Sequence, residues 1–221
     1  MKRIIIVCEG ETEQEFCKTI LSPYFVHKNY YIHPPLIKKT KGGIVKWGVL
    51  KNQLENHLKE DPNAYVTTFI DYYGVYQKHQ FPRWEESVEI ADKNDRMHLL
   101  ETGMKDDISQ ALRNRFIPYL QLHEFEGLLF NDINIFHQLI PPNELSNIEE
   151  LEDTFRQYEN PEMINNNKST SPSHRLKRII SGYNKIVYGN IIAETIGLPR
   201  MRQKSPRFNN WLQILENISV D

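Results

Sequence analysis

Cysteine is nearly missing from this chain. Cys8 and Cys17 are the only two among 221 residues, and their separation fits neither a disulfide framework nor a paired zinc knuckle, so both are expected as buried thiols. Long apolar runs are missing too. Residues 4–8 and 191–193 are among the longest, far below the roughly 20 residues that cross a bilayer. The opening Met1-Lys2-Arg3 leads into only five apolar residues before Glu9, too few for a secretory signal, so a cytoplasmic location is expected. No internal repeat or low-complexity tract appears. Neither a P-loop nor a GxGxxG turn exists, since Lys41-Gly42-Gly43 lacks both the spacing and a preceding buried strand, which argues against an ATPase acting alone. A GxSxG elbow is absent, weakening a serine hydrolase. His123-Glu124-Phe125-Glu126 lacks the second histidine of a zinc-peptidase HExxH helix.

What is present has globular proportions: 39% hydrophobic, 25% charged and 11% aromatic, which excludes wholesale disorder and collagen-like or coiled-coil chains. Net charge is −2, but it is unevenly spread. Residues 168–207 hold Lys168, Arg175, Lys177, Arg178, Lys185, Arg200, Arg202, Lys204 and Arg207 against Glu194 alone, a local +8 that leaves −10 for the remainder. Such a segment is an electrostatic footprint for phosphate first, although a basic surface docking on an acidic partner protein would look the same.

Residues 2–8 form a short β-branched run without helical period, read as a buried parallel strand ending at Glu9-Gly10. A helix follows, with acids in its first turn, until Pro23 ends or interrupts it. There Glu11, Glu13 and Glu15 read as a solvated turn, with Glu13 held in reserve as a helper to Glu9. Residues 30–37 carry Pro34 and Pro35 and suit an edge strand. A Lys-rich loop at 38–43 precedes an amphipathic helix, with Val45, Val49, Leu50, Leu54 and Leu58 on one face. Residues 64–70 predict a strand delivering Asp71 into Tyr72-Tyr73-Gly74. An aromatic, Pro-bearing loop spans 75–84, one or two helices lie in 88–112, and a third confident strand at 116–122 runs into His123-Glu124-Phe125-Glu126-Gly127. Beyond residue 131 only helices and loops are expected: near 145–158, 175–183, 191–196 and 208–218, with an Asn-rich loop at 165–168. The expected fold is α/β, a mostly parallel sheet flanked by helices over 1–130, with a helical, basic extension over 131–221 packed on it.

Sheets of this kind bind ligands at the carboxyl ends of their strands, where Glu9, Asp71 and the 123–126 group fall. Carboxylates converging there repel unless they share a proton or a cation. Oxygen-only ligands suit Mg²⁺ or Mn²⁺, and the matching chemistry is phosphodiester cleavage or transfer. The bland reading is that each acid caps the next helix. Three together favour a metal cluster of Glu9, Asp71 and either Glu124 or Glu126, which at i, i+2 of a helix face different ways. His123 is a candidate phosphate contact or proton carrier, or a strand cap.

The segments Ile4-Ile5-Ile6-Val7-Cys8-Glu9-Gly10-Glu11-Thr12-Glu13 and Thr67-Thr68-Phe69-Ile70-Asp71-Tyr72-Tyr73-Gly74 resemble the glutamate and aspartate motifs of TOPRIM domains. More closely, nearly the whole chain resembles the bacterial TOPRIM-like domain of unknown function 4276. That similarity runs through residues 122–130, Pro172-Ser173-His174-Arg175-Leu176, Tyr183-Asn184-Lys185 and Ser205-Pro206-Arg207-Phe208. The resemblance implies a Rossmann-like TOPRIM core and a metal-dependent nuclease related in fold to OLD-family nucleases. It further implies a role in phage defence beside an ABC or SMC-like ATPase. Under it Glu9 serves as metal ligand and general base. Lys185, counted among the catalytic residues, is expected with Arg175, Arg202 and Arg207 to neutralise the backbone or the developing charge, and Lys177, Arg178 and Lys204 join those arginines in binding the nucleic acid, DNA or RNA. Asp71-Tyr72-Tyr73 departs from the TOPRIM Asp-x-Asp pair by lacking the second aspartate, a place that Glu124 or Glu126 would have to fill. The rival expectation is a non-catalytic subunit that keeps the fold and holds nucleic acid or an ATPase.

Overall fold

The computed structural model describes residues 1–38, 43–165 and 167–218. Most of the Lys-rich 38–43 loop, and Asn166 of the Asn-rich loop, lie outside the described residues. The chain divides into two bodies, one of residues 1–122 rejoined by Ile218, the other His123–Asn217. The division thus falls before the His123–Glu126 group rather than at 130. No helix among the described residues is long and apolar enough to cross a membrane.

The first body is a parallel sheet with helices packed on it. Strand β1 (Lys2–Cys8) is followed by α1 (Glu11–Phe16), a π-helical stretch Cys17–Leu21, and α2 (Ser22–Val26). Of the two outcomes expected at Pro23, the structure shows an interruption of the helix rather than its end. The Ser22 amide reaches back to the Cys17 carbonyl, and this widened turn lies directly before a proline that has no N–H of its own to donate. Strand β2 (Tyr30–His33) is the edge, as Pro34 and Pro35 require, and pairs parallel to β1. Past the prolines the contact resumes, with the Cys8 amide donating to Pro35 O at 2.9 Å and Ile37 N to Cys8 O at 3.0 Å. Helix α3 (Trp47–Glu60) buries Leu50, Leu54 and Leu58 at helical spacing. Strand β3 (Tyr65–Asp71) pairs parallel to β1 on its other side, Cys8 opposite Phe69. Helices α4 (Trp84–Val88) and α5 (Lys93–Asp107) follow.

The continuous strand expected at 116–122 is instead two short pieces, β4 (Phe116–Ile117) and β5 (Leu120–Gln121), both parallel to β3. Pro118 breaks the ladder because it lacks an N–H. The Thr68 hydroxyl on β3 closes the gap, donating to Tyr119 O at 2.7 Å and accepting from Tyr119 N at 3.0 Å.

The second body is helical: α6 (Ile133–Leu139), α7 (Ile148–Gln157), α8 (Pro172–Ile179), α9 (Lys185–Ile196), α10 (Leu198–Lys204) and α11 (Pro206–Glu216). Its core gathers Leu128, Leu129, Phe130, Phe136, Leu176, Ile192, Phe208 and Leu212, all buried. A short 3₁₀ turn, Pro161–Met163, carries Glu162, which is 1% exposed and accepts from Arg207 N at 2.9 Å and Phe208 N at 3.0 Å. These are amides that a helix start leaves without an intrahelical partner, so the carboxylate fastens the beginning of α11.

Candidate functional site

In the first body β1 and β3 are neighbours; Glu9 directly follows β1 and Asp71 closes β3. Their register places Glu9 one step beyond the paired Cys8, with its own amide donating to Phe69 O at 3.1 Å. From there the Glu9 side chain turns across the sheet edge. Its Oε2 accepts the Asp71 amide at 3.0 Å. Asp71, the last residue of β3, is 7% exposed. The other oxygen, Glu9 Oε1, faces Gly74, where an added Cβ would come within 3.2 Å of it. The glycine in Asp71-Tyr72-Tyr73-Gly74 thus keeps a space beside Glu9 that any other side chain would enter. Sequence reasoning brought Glu9 and Asp71 to one rim, and the structure places them there.

Glu13 is not the solvated residue its helical-turn position suggested. It is 2% exposed, and its Oε2 accepts the Gly10 amide at 2.9 Å, one half of a capping box. Glu11 is exposed. Behind the site Cys8 and Cys17 are fully buried thiols with sulfurs 3.8 Å apart. Burial, and then the Cys17 thiol beside it, push the Cys8 thiol well above its ordinary range.

In the second body the His123–Glu126 group is organised separately. His123 adopts a left-handed backbone at φ 65 and is buried. Glu124 is extended rather than helical, and its carboxylate accepts from Ser173 N at 2.9 Å and Ser173 Oγ at 3.0 Å at the start of α8. Glu126, fully buried in the following 3₁₀ turn Phe125–Leu129, pairs with Lys185 Nζ at 3.0 Å. The Tyr183 phenol is held well above its ordinary range by burial first and the Glu126 charge second, with Lys185 opposing. Ser173 and Tyr183 stand within segments that carried the family resemblance, yet their residue types alone assigned them no part.

The basic residues expected to meet phosphate are mostly engaged by their own body. Arg175 is 8% exposed, donating to Thr170 O and Thr154 Oγ1 at 2.9 Å each, with its guanidinium 5.8 Å from the Tyr158 ring centre. It is a buried strut and is not offered to a ligand. Arg178 grips both oxygens of Glu150, and that pairing raises its pKa. Arg202 holds Glu216 in a two-pronged contact at 2.6 and 3.1 Å. Lys204 donates to Asn131 O at 2.7 Å, and Arg207 lends its backbone amide to Glu162. Lys177 is exposed. Among the described residues no three or more His, Cys, Asp or Glu side chains are grouped so as to hold a metal ion.

These observations define a mixed α/β protein whose parallel sheet ends in a close glutamate and aspartate, joined to a helical body with its own buried carboxylates. The model of the family described as "Domain of unknown function (DUF4276)" matches residues 8–216, and the chain belongs to that family. No curated protein and no solved structure matches it.

Proposed function

We propose that the first body is a TOPRIM-like core and that the chain is a divalent-metal-dependent phosphodiesterase, a nuclease. The observation that carries this reading is the Glu9 carboxylate resting on the Asp71 amide where two adjacent parallel strands end. The donor set fits a hard cation: every candidate atom is a carboxylate oxygen, and Gly74 leaves room beside Glu9 Oε1. Glu9 and Asp71 would hold Mg²⁺ or Mn²⁺, which supplies charge stabilisation and an acidified water when bound. The chain's own residues orient this edge. The Asp71 N–H orients the Glu9 carboxylate at this edge, where it would act as general base toward an attacking water. Work beside an ATPase partner in phage defence belongs to the same proposal, and co-purification with a neighbouring ATPase tests it.

A second reading, a binding subunit without catalysis, is favoured by Asp71-Tyr72-Tyr73 lacking a second aspartate and by the grouping of fewer than three ligands among the described residues. One experiment separates the two. Single- and double-stranded DNA and RNA are incubated with Mn²⁺ and the wild-type, Glu9→Gln or Asp71→Asn protein. The nuclease reading expects cleavage by wild type and a loss of about 10²-fold or more in each variant, with the circular dichroism spectrum unchanged. Full activity in Glu9→Gln removes it. Mn²⁺ binding without cleavage of any substrate selects the second reading.

A further inference from the structure

The aromatic loop at 75–84, to which the sequence assigned no role, is built rather than slack. Gln80 (φ 57, ψ 39) and Arg83 (φ 59, ψ 20) both adopt left-handed backbone, a conformation that is strained at non-glycine residues and persists only where packing holds it. The packing is visible. Phe81 is driven inward against Trp47, ring centres 5.5 Å apart. The Pro82–Arg83 segment lies so close to α5 that a Cβ on Gly103 would meet Pro82 O at 3.0 Å. Ser87 Oγ donates to Trp84 O at 2.7 Å. Residues of this loop and the start of α4, from Gln77 to Glu86, line an open hollow of about 510 Å³.

The chemistry of its lining is particular. Trp84 supplies an aromatic wall, and Gln77 and Gln80 bring two exposed side-chain amides. Arg83 is tied to Glu86 at 2.7 Å, and Glu85 adds an exposed carboxylate. The described lining residues therefore present a carboxylate acceptor, two amides that can accept as well as donate, and a flat apolar face, with their one arginine tied to Glu86. The hollow also adjoins the carboxylate edge: Tyr72 directly follows Asp71, its ring centre is 6.0 Å from that of Trp84, and Arg96 donates to its hydroxyl at 3.2 Å.

We propose that this cavity is a nucleobase subsite, receiving an amino-bearing base of a single-stranded nucleic acid by stacking on Trp84. The phosphate stays outside, toward Glu9 and Asp71. The inference rests on the phosphodiester reading for its substrate class. Carboxylate and amide oxygens accept from the exocyclic amines of adenine, cytosine or guanine, which uracil lacks. Aromatic stacking supplies the rest without reading sequence.

The test uses the full chain without divalent ion, titrated by calorimetry with AMP, CMP, GMP and UMP. Expected are binding of the three amino-bearing nucleotides, UMP about tenfold or more weaker, and a loss of about tenfold or more for AMP in Trp84→Leu. The Gln77→Ala/Gln80→Gly double variant, made in a Glu85→Ala background so that the exposed acceptors are removed together, is expected to lose the preference; its new glycine suits the left-handed position, so it carries the test should Trp84→Leu not fold. Equal affinity for all four nucleotides, or a preference surviving in the double variant, overturns the subsite. Glu9→Gln keeps the two ideas apart. Nucleotide binding retained in a Glu9→Gln protein that still cleaves sinks the metal reading and leaves the subsite standing. Cleavage lost in Glu9→Gln beside base-indifferent wild-type binding does the reverse.

Discussion

Glu162 shows how one buried carboxyl can make the stability of this protein depend on pH. Burial raises its pKa from the ordinary 4.5 to about 7, while the Arg207 and Phe208 amides and the Arg207 charge pull the other way. A raised folded-state value means that the folded chain holds its proton more tightly than the unfolded chain. The resulting stability is fully present below about pH 4.5 and is lost as pH rises through 7, a difference of about 3 kcal/mol. Urea midpoints measured from pH 5 to pH 8 are therefore expected to fall with pH in the wild type and to flatten in Glu162→Gln. An unchanged fall in the variant would assign the dependence to other groups. Nothing in the sequence around Glu162 announced this, because a lone glutamate beside a proline reads as surface until α11 is laid over it.

At the scale of elements, the sheet was legible wherever side chains alone decide the outcome. The β-branched runs ending at Cys8 and at Ile70-Asp71 gave β1 and β3, and the double proline marked β2 as the edge. Reading failed where backbone hydrogen bonds decide it. Pro118 should have divided the strand drawn through 116–122; Pro23, expected to end or interrupt its helix, does interrupt it, and only the widened turn that carries the interruption went unread. The Thr68 hydroxyl repairs the first of these breaks with two hydrogen bonds. Thr68→Val keeps the shape and removes both, leaving the Tyr119 amide and carbonyl without that partner in a buried setting. A loss of about 2 kcal/mol in equilibrium unfolding is expected, and a loss below about 0.5 kcal/mol would mean the gap is bridged otherwise. The Glu9–Asp71 pairing was legible for the same reason as the strands, since two parallel neighbours must bring their last residues together. The partners of Glu124 and Glu126 were not, because Ser173 and Lys185 lie tens of residues away in helices whose packing no local pattern specifies.

At the scale of the whole molecule, the basic stretch at 168–207 loses most of its apparent meaning once the fold supplies its acids. Residues 123–217 carry ten lysines and arginines against twelve acids. Arg175 and Arg178 meet Glu150, Lys185 meets Glu126, Arg200 meets Asp132 and Arg202 meets Glu216. A one-dimensional charge count could not see this, since every one of those acids lies outside the stretch. Arg202→Gln is accordingly expected to lower the melting temperature while leaving unchanged the slope of log affinity for nucleic acid against log salt. A slope shallower by about 1 at constant melting temperature would instead make Arg202 a phosphate contact. The two sulfurs sealed behind the glutamate edge have a use of their own. A maleimide reagent meets no reactive thiolate at the surface of the native chain, so its rate of adduct formation follows how often the first body opens and serves as a built-in clock for that event.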